Sequence, residues 1–414
     1  MALLAESKGF AAPDEDITDC VSLSSSIWSS TAPKTHFIFG MGNSTSAVNA
    51  DGRNSIGWAD ASDNVAIGSN IRNGVGTTDA NRTHQTAYCV HPLSSSGGTY
   101  ERAVQSSYAA NQVCHTWSSS AEEGYNYWLL ALGGDDVENV SIDQITSPTS
   151  TGNVSYTGPG FEPDCLLVFS SAGHTSGLPN SSVHQVTSFG FSDGTTDACC
   201  YSVSLDNQSA SVAKSVHAAE FIKTFSTTTL ADICAATVTS LDATGYTLNW
   251  NAVHASVGFY FTVVAIKGPQ AKVVTTTQPT SNTTNDISAG FVPKAGLCLG
   301  AMKTASATPT AHNRFMVGAW DESNNMDSGG WMDEDGQSTS DSDRFISNAC
   351  SIKNYNHSQT VVGQATVAVN GNGIRETWTN TDGSAYSHSW LLLGDTYVAP
   401  TGNPWYHNAQ QGGI

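Results

Sequence analysis

The loop Trp331-Met332-Asp333-Glu334-Asp335-Gly336, followed by Asp341 and Asp343, gathers carboxylates around a glycine, a pattern that can build a hard oxygen cage for calcium. Its spacing departs from a full EF-hand, and a solvated acidic loop is the competing reading. Asp333, Asp335, Asp341 and Asp343 are therefore the candidate ligands, with calcium the one cofactor considered. Aromatic side chains offer a second chemistry, because their faces stack on the apolar faces of sugars. Trp331, Trp405 and Tyr406 are the candidates for glycan or interface contact, since they stand outside the chain's recurring pattern of landmarks. Twelve histidines invite a search for catalysis, yet no His-Glu-x-x-His, nucleophile elbow, P-loop or dinucleotide fingerprint occurs. His115, His254 and His388 lie near strand ends and read as surface or packing residues. No catalytic residue is assigned, and the chain reads as a protein that is not an enzyme.

The elements that must position these groups recur along the chain. Pro33, Pro163 and Pro293 are spaced by 130 residues, and each opens an apolar run such as Cys165-Leu166-Leu167-Val168-Phe169. A glycine, an aromatic and an aspartate come next: Gly57-Trp58-Ala59-Asp60, Gly190-Phe191-Ser192-Asp193 and Gly318-Ala319-Trp320-Asp321. These glycines stand 24, 27 and 25 residues beyond their prolines, and Trp117, Trp250 and Trp378 stand 84, 87 and 85 beyond them. Each set closes on an apolar strand ending in glycine, as in Trp390-Leu391-Leu392-Leu393-Gly394. Tryptophans fixed in register serve packing before ligand contact. Such a repeat predicts three similar domains in a row with separate cores.

Helical periodicity is nearly absent, while Val, Ile, Thr and aromatic residues recur in short runs split by Gly, Asn, Asp and Ser. The fold class expected is all-β: three tandem β-sandwich, jelly-roll-like domains over residues 31–134, 152–268 and 286–394. An N-terminal arm (1–30) and a C-terminal tail (395–414) flank them, and Pro- and Thr-containing stretches at 135–151 and 269–285 read as stiff linkers. The opening and closing strands of each domain are expected side by side, with 259–266 placed centrally because it is apolar on both faces. One helix is expected, over 212–225.

Only 13% of the 414 residues are charged, and 36 acidic against 16 basic side chains give a net charge of −20. That surface repels phosphate backbones and anionic lipid, so nucleic acid is excluded as a partner. No run approaches the length of a membrane span, and no secretory signal is read at the start, so synthesis is expected in the cytoplasm without membrane insertion. Nine cysteines, an odd number that does not recur in register, read as structural thiols ahead of disulfides or zinc.

The opening Gly160-Phe161-Glu162-Pro163-Asp164, repeated as Gly290-Phe291-Val292-Pro293-Lys294, together with the closing strands, resembles repeats in structural proteins of tailed bacteriophages and concanavalin-type sandwich modules of their tails and fibres. The first repeat departs from it, with Ser30-Thr31-Ala32 before Pro33. The resemblance implies a virion-surface location, assembly in the host cytoplasm without a signal peptide, and no catalytic residues. The function expected is that of a non-enzymatic virion structural protein, an external subunit of the tail or fibre apparatus or a capsid decoration protein. Its partners would be other virion proteins and copies of itself. The alternatives are an adhesin module binding host surface glycan, and an enzyme degrading polysaccharide, which needs paired carboxylates in a cleft.

Overall fold

A computed structural model describes the chain except for residues 1, 14–15, 44–47, 95–100, 119–124, 173–177, 228–230, 306–307, 357 and 397–414. Strands alternate with glycine-, asparagine- and serine-rich turns throughout. The first stretch forms β1 (Leu3–Ala11), β2 (Thr18–Ser22), the helix α1 (Ser25–Trp28), β3 (Pro33–Asn43), β4 (Asn49–Ala50) and β5 (Asn54–Asp60). It continues with β6 (Asn64–Ile71), β7 (Ala80–Gln85), β8 (Arg102–Ala109), β9 (Gln112–Ser118) and β10 (Asn126–Gly134). The second holds β11 (Asn139–Thr146), β12 (Gly152–Tyr156), β13 (Cys165–Ser170), β14 (Leu178–Val183), β15 (Gln185–Ser192) and β16 (Asp197–Ser204). After these come β17 (Ala213–Ala218), β18 (Ile222–Phe225), β19 (Asp232–Asp242), β20 (Gly245–Ala252) and β21 (Tyr260–Lys267). The third holds β22 (Gln270–Thr277), β23 (Thr284–Ser288), β24 (Pro293–Lys303), β25 (Thr310–Ala311), β26 (Asn313–Asp321) and β27 (Met326–Asp333). It ends with β28 (Ser342–Ser347), β29 (Ile352–Tyr355), β30 (Val361–Val369), β31 (Gly373–Thr381) and β32 (Ser387–Gly394).

Three seven-stranded antiparallel sheets run in the orders β1-β10-β3-β5-β6-β7-β14, β11-β21-β13-β15-β16-β17-β25 and β22-β32-β24-β26-β27-β28-β4. Each opening strand lies beside its closing strand, as expected: β3 on β10, β13 on β21 and β24 on β32. Three smaller sheets, β2-β9-β8, β12-β20-β19-β18 and β23-β31-β30-β29, cover one face of each large sheet. The expected helix over 212–225 is instead β17 and β18 with a turn between them. Its apolar spacing of four also satisfies an alternating strand, and both strands find sheet partners. The stretches read as an arm and as linkers contain strands that complete the sheets, β1 and β2, β11, and β22 with β23. Of the expected C-terminal tail, residues 397–414 lie outside the described residues.

The last strand of each large sheet comes from elsewhere in the chain. β14 of the second stretch pairs with β7 of the first, β25 of the third with β17 of the second, and β4 of the first with β28 of the third. These three exchanges form a closed cycle. Without them β7, β17 and β28 would each present a row of unpaired backbone groups, the usual liability of a sheet edge.

Separate cores were expected, and each stretch has one between its large and small sheets, but the structure adds a core that all three share. The faces of the large sheets turned away from the small sheets merge into one apolar cluster, with Phe37, Trp58 and Trp128 from the first stretch, Phe189 and Phe191 from the second, and Leu297 and Phe315 from the third. Phe37 and Phe189 stack across the seam with ring centroids 5.7 Å apart. Double burial is the reason strands such as β10 and β21 are apolar on both faces, and both are buried almost from end to end.

Candidate functional site

The interface between each large sheet and its small sheet brings the same three backbone positions inward. One lies on the opening strand, at His36, Leu166 and Gly296. It faces Ala59, Ser192 and Trp320 respectively, each two residues past the recurring glycine. A second lies where the chain crosses from large sheet to small, at Cys89, Phe221 and Ser351. Their carbonyl oxygens occupy the space a Cβ would need at Gly57, Gly190 and Gly318, so only glycine admits this crossing. The third lies on the second strand of the small sheet, at His115, Leu248 and Glu376, two residues before Trp117, Trp250 and Trp378. Those tryptophans face Ala103, Ala236 and Ala365 in matching register.

In the second stretch Leu166, Phe221 and Leu248 belong to a single apolar cluster. The first stretch has His36, Cys89 and His115 at these places, all buried, with ligand-type atoms within 4.8 Å of one another. His115 Nε2 lies 3.0 Å from His36 Nε2, and His36 Nδ1 lies 2.8 Å from the Tyr108 hydroxyl. That hydroxyl donates to the Ala59 carbonyl at 3.0 Å, so its oxygen is left to accept from His36 Nδ1–H, and the Nε2 lone pair of His36 points at His115. Cys89 Sγ lies 3.4 Å from the Ala103 carbonyl oxygen, and His115 Nδ1 is buried without a hydrogen-bond partner among the described residues. Burial keeps both rings neutral, with His115 lowered to about 4 and His36, beside it, well below its ordinary value; burial also pushes the Cys89 thiol up to about 12.

The third stretch places a charge there. Glu376 is fully buried and accepts from Trp390 Nε1 at 2.8 Å, Trp378 Nε1 at 3.1 Å and Asn285 Nδ2 at 3.1 Å, with His388 Nε2 at 2.6 Å. Burial alone would raise its pKa, but the charge and hydrogen bond of His388, then the bonds from Trp390 and Asn285, hold it below the usual glutamate value. Two of the three interfaces thus carry polar constellations where the second is apolar.

The residues singled out from sequence lie elsewhere. Trp331 is 1% exposed and stacks on Phe315 at 4.5 Å inside the shared core, so it has no free face for a sugar. Standing outside the recurring pattern marked it as a glycan or interface candidate; the central core shared by the three stretches claims it instead. Trp405 and Tyr406 lie outside the described residues. The four aspartates do not form a cage: among the described residues the cluster with three converging ligand atoms is His36, Cys89 and His115. Asp333 and Asp343 are buried within β27 and β28, while Asp335 is paired with Lys214 and accepts from Ala213 N at 2.9 Å.

Their loop is a joint between stretches. Gly336 N donates to Ser211 O at 2.7 Å, and Ser340 N to Val75 O at 2.9 Å. Nearby, Asn207 N donates to Thr78 O at 2.8 Å, so all three stretches meet here.

Cysteine pairing also differs from expectation. Cys20 and Cys114 sit directly opposite on β2 and β9 and form a disulfide across 94 residues of sequence, while seven others are buried free thiols. Strand register, which residue spacing does not reveal, brings the pair together. His36, Cys89 and His115 were missed as a group because they lie far apart in sequence. The signal was present in the position two residues before each recurring tryptophan, which changes from His115 to Leu248 to Glu376.

The sheets define an all-β protein of antiparallel construction. Compared with known protein families, curated proteins and solved structures, the chain matches none of them.

Proposed function

We propose that the three stretches are β-sandwich domains related by an internal repeat of about 130 residues, and that together they form a non-enzymatic structural protein displayed on the outside of a tailed-bacteriophage particle. The observation that carries this reading is the cyclic exchange of edge strands. One chain builds a closed threefold body whose large sheets all end in a borrowed strand, an economical way to present a rigid, nearly symmetric block to a lattice or a tail. Low charge and a polar exterior accompany it: among the described residues the large hydrophobics counted as exposed are Ile17, Val292 and Val369.

Gold-labelled antibody imaging of purified particles from the source lysate tests the proposal. Labelling along the tail or at its tip supports an appendage, and even labelling of the capsid supports decoration. Particles that carry no label overturn the virion reading.

A further inference from the structure

We propose that His36, Cys89 and His115 form a closed site for one thiophilic d10 metal ion, copper(I) or zinc(II), set between the sheets of the first sandwich. Two imidazoles and a thiolate are the donor set such ions select. The ligand-type atoms already lie within 4.8 Å of one another, and the side chains are shut away from solvent. An ion seated among them takes the place of the hydrogen that joins the two Nε2 atoms, 3.0 Å apart in its absence, and that proton moves to His115 Nδ1, so the ring stays neutral with Nε2 free to ligate. Tyr108 supplies the outer contact that metal-bound histidines require: its oxygen accepts from His36 Nδ1–H, which fixes the tautomer with Nε2 free to ligate. Binding displaces the Cys89 thiol proton to solvent, which balances one of the charges on the ion.

The second sandwich shows that the fold does not need these groups. Leu166, Phe221 and Leu248 fill the corresponding places, and they pack as ordinary core. Burying two neutral imidazoles and a thiol with one ring nitrogen unpartnered is unfavourable relative to that apolar set, so packing alone does not account for them. The comparison rests on the correspondence of the three sandwiches, but the ligand geometry stands without it. Three ligands with no fourth in the cluster favour copper(I), which accepts three-coordination, whereas zinc would complete a tetrahedron with water.

The test uses the full chain produced in copper- or zinc-supplemented medium, and refolded with each ion, copper being kept reduced. Metal content is read by mass spectrometry. About one equivalent is expected, falling more than tenfold in Cys89→Ser and in His115→Leu, the residue the second sandwich carries there. Retention of copper over zinc in competition assigns the ion as copper(I), and the reverse assigns zinc(II). Less than a tenth of an equivalent in the wild-type protein under every loading condition overturns the proposal, as does equal content in wild type and folded variants. If the variants do not fold, X-ray absorption on the loaded wild-type protein decides: sulfur with imidazole scattering supports the site, and scattering from oxygen and nitrogen alone overturns it.

Discussion

Glu376 and Asp333 are both buried carboxylates of the third stretch, and their neighbours give them opposite behaviour. Glu376 is surrounded by donors, so its folded pKa lies below the unfolded value of 4.5; its contribution to stability is present above that value and fades as pH falls through the folded one. Replacing it with leucine, the residue at the corresponding place in the second stretch, strands Trp378, Trp390 and His388. Glu376→Leu should therefore destabilise the protein by about 3 kcal/mol or more in denaturant unfolding at neutral pH. Asp333 has one oxygen without a partner among the described residues, and burial pushes its pKa to about 7. Here the sign reverses: stability from this group is fully present below about pH 4 and is lost as pH rises through 7. Asp333→Asn should raise the melting temperature by roughly 2–5 °C at pH 8 and leave it nearly unchanged at pH 4.5. An unchanged or lower melting temperature at pH 8 would show that the folded protein solvates this acid. At this scale the sequence was partly legible. Trp117, Trp250 and Trp378 are buried as their register implied, whereas an acidic run looks the same whether it cages an ion, faces water or, as here, joins the three stretches.

Among the elements, the opening and closing strands could be read because their landmarks repeat, and β21 sits between β11 and β13 as its two apolar faces required. The segments before each opening proline could not. Threonine, proline and charged residues made them look like linkers, yet β11 and β22 each form the outer strand of a sheet, where one side needs no partner and polar residues are tolerated. Between elements the tightest constraint is the crossing over the recurring glycine. At Gly190 a methyl group would overlap the carbonyl oxygen of Phe221. Gly190→Ala should destabilise by about 1–3 kcal/mol through forced separation of the sheets. The exposed Gly371, whose Cβ would meet nothing, is the control site for a comparable substitution, although its positive φ adds a small backbone strain of its own. Equal effects at the two positions would remove the crossing as the explanation.

At the scale of the molecule, the central core couples what the repeat alone suggests are independent parts. Leu167, Phe169, Phe189, Phe191, Val264 and Ile266 of the second stretch are buried only because the other two stretches cover that face. Residues 135–268 expressed alone should therefore fail to give a cooperative thermal transition, whereas the full chain should unfold in a single calorimetric step. Three resolved transitions of the full chain would show that the shared core does not couple them. Sequence periodicity could not anticipate this, since a strand apolar on both faces reports that both are covered and not by what.

The cycle of edge strands also has a consequence in time. Arg344 on β28 donates to the carbonyls of Gly42 and Asp51, and β28 pairs with β4, some 300 residues earlier in the chain. A ribosome adding about 5–20 residues per second needs roughly 15–60 s to travel that distance. For that interval β4 waits with part of the inner face beside it uncovered and its partner strand not yet synthesised, so this seam closes only once the ribosome has passed β28.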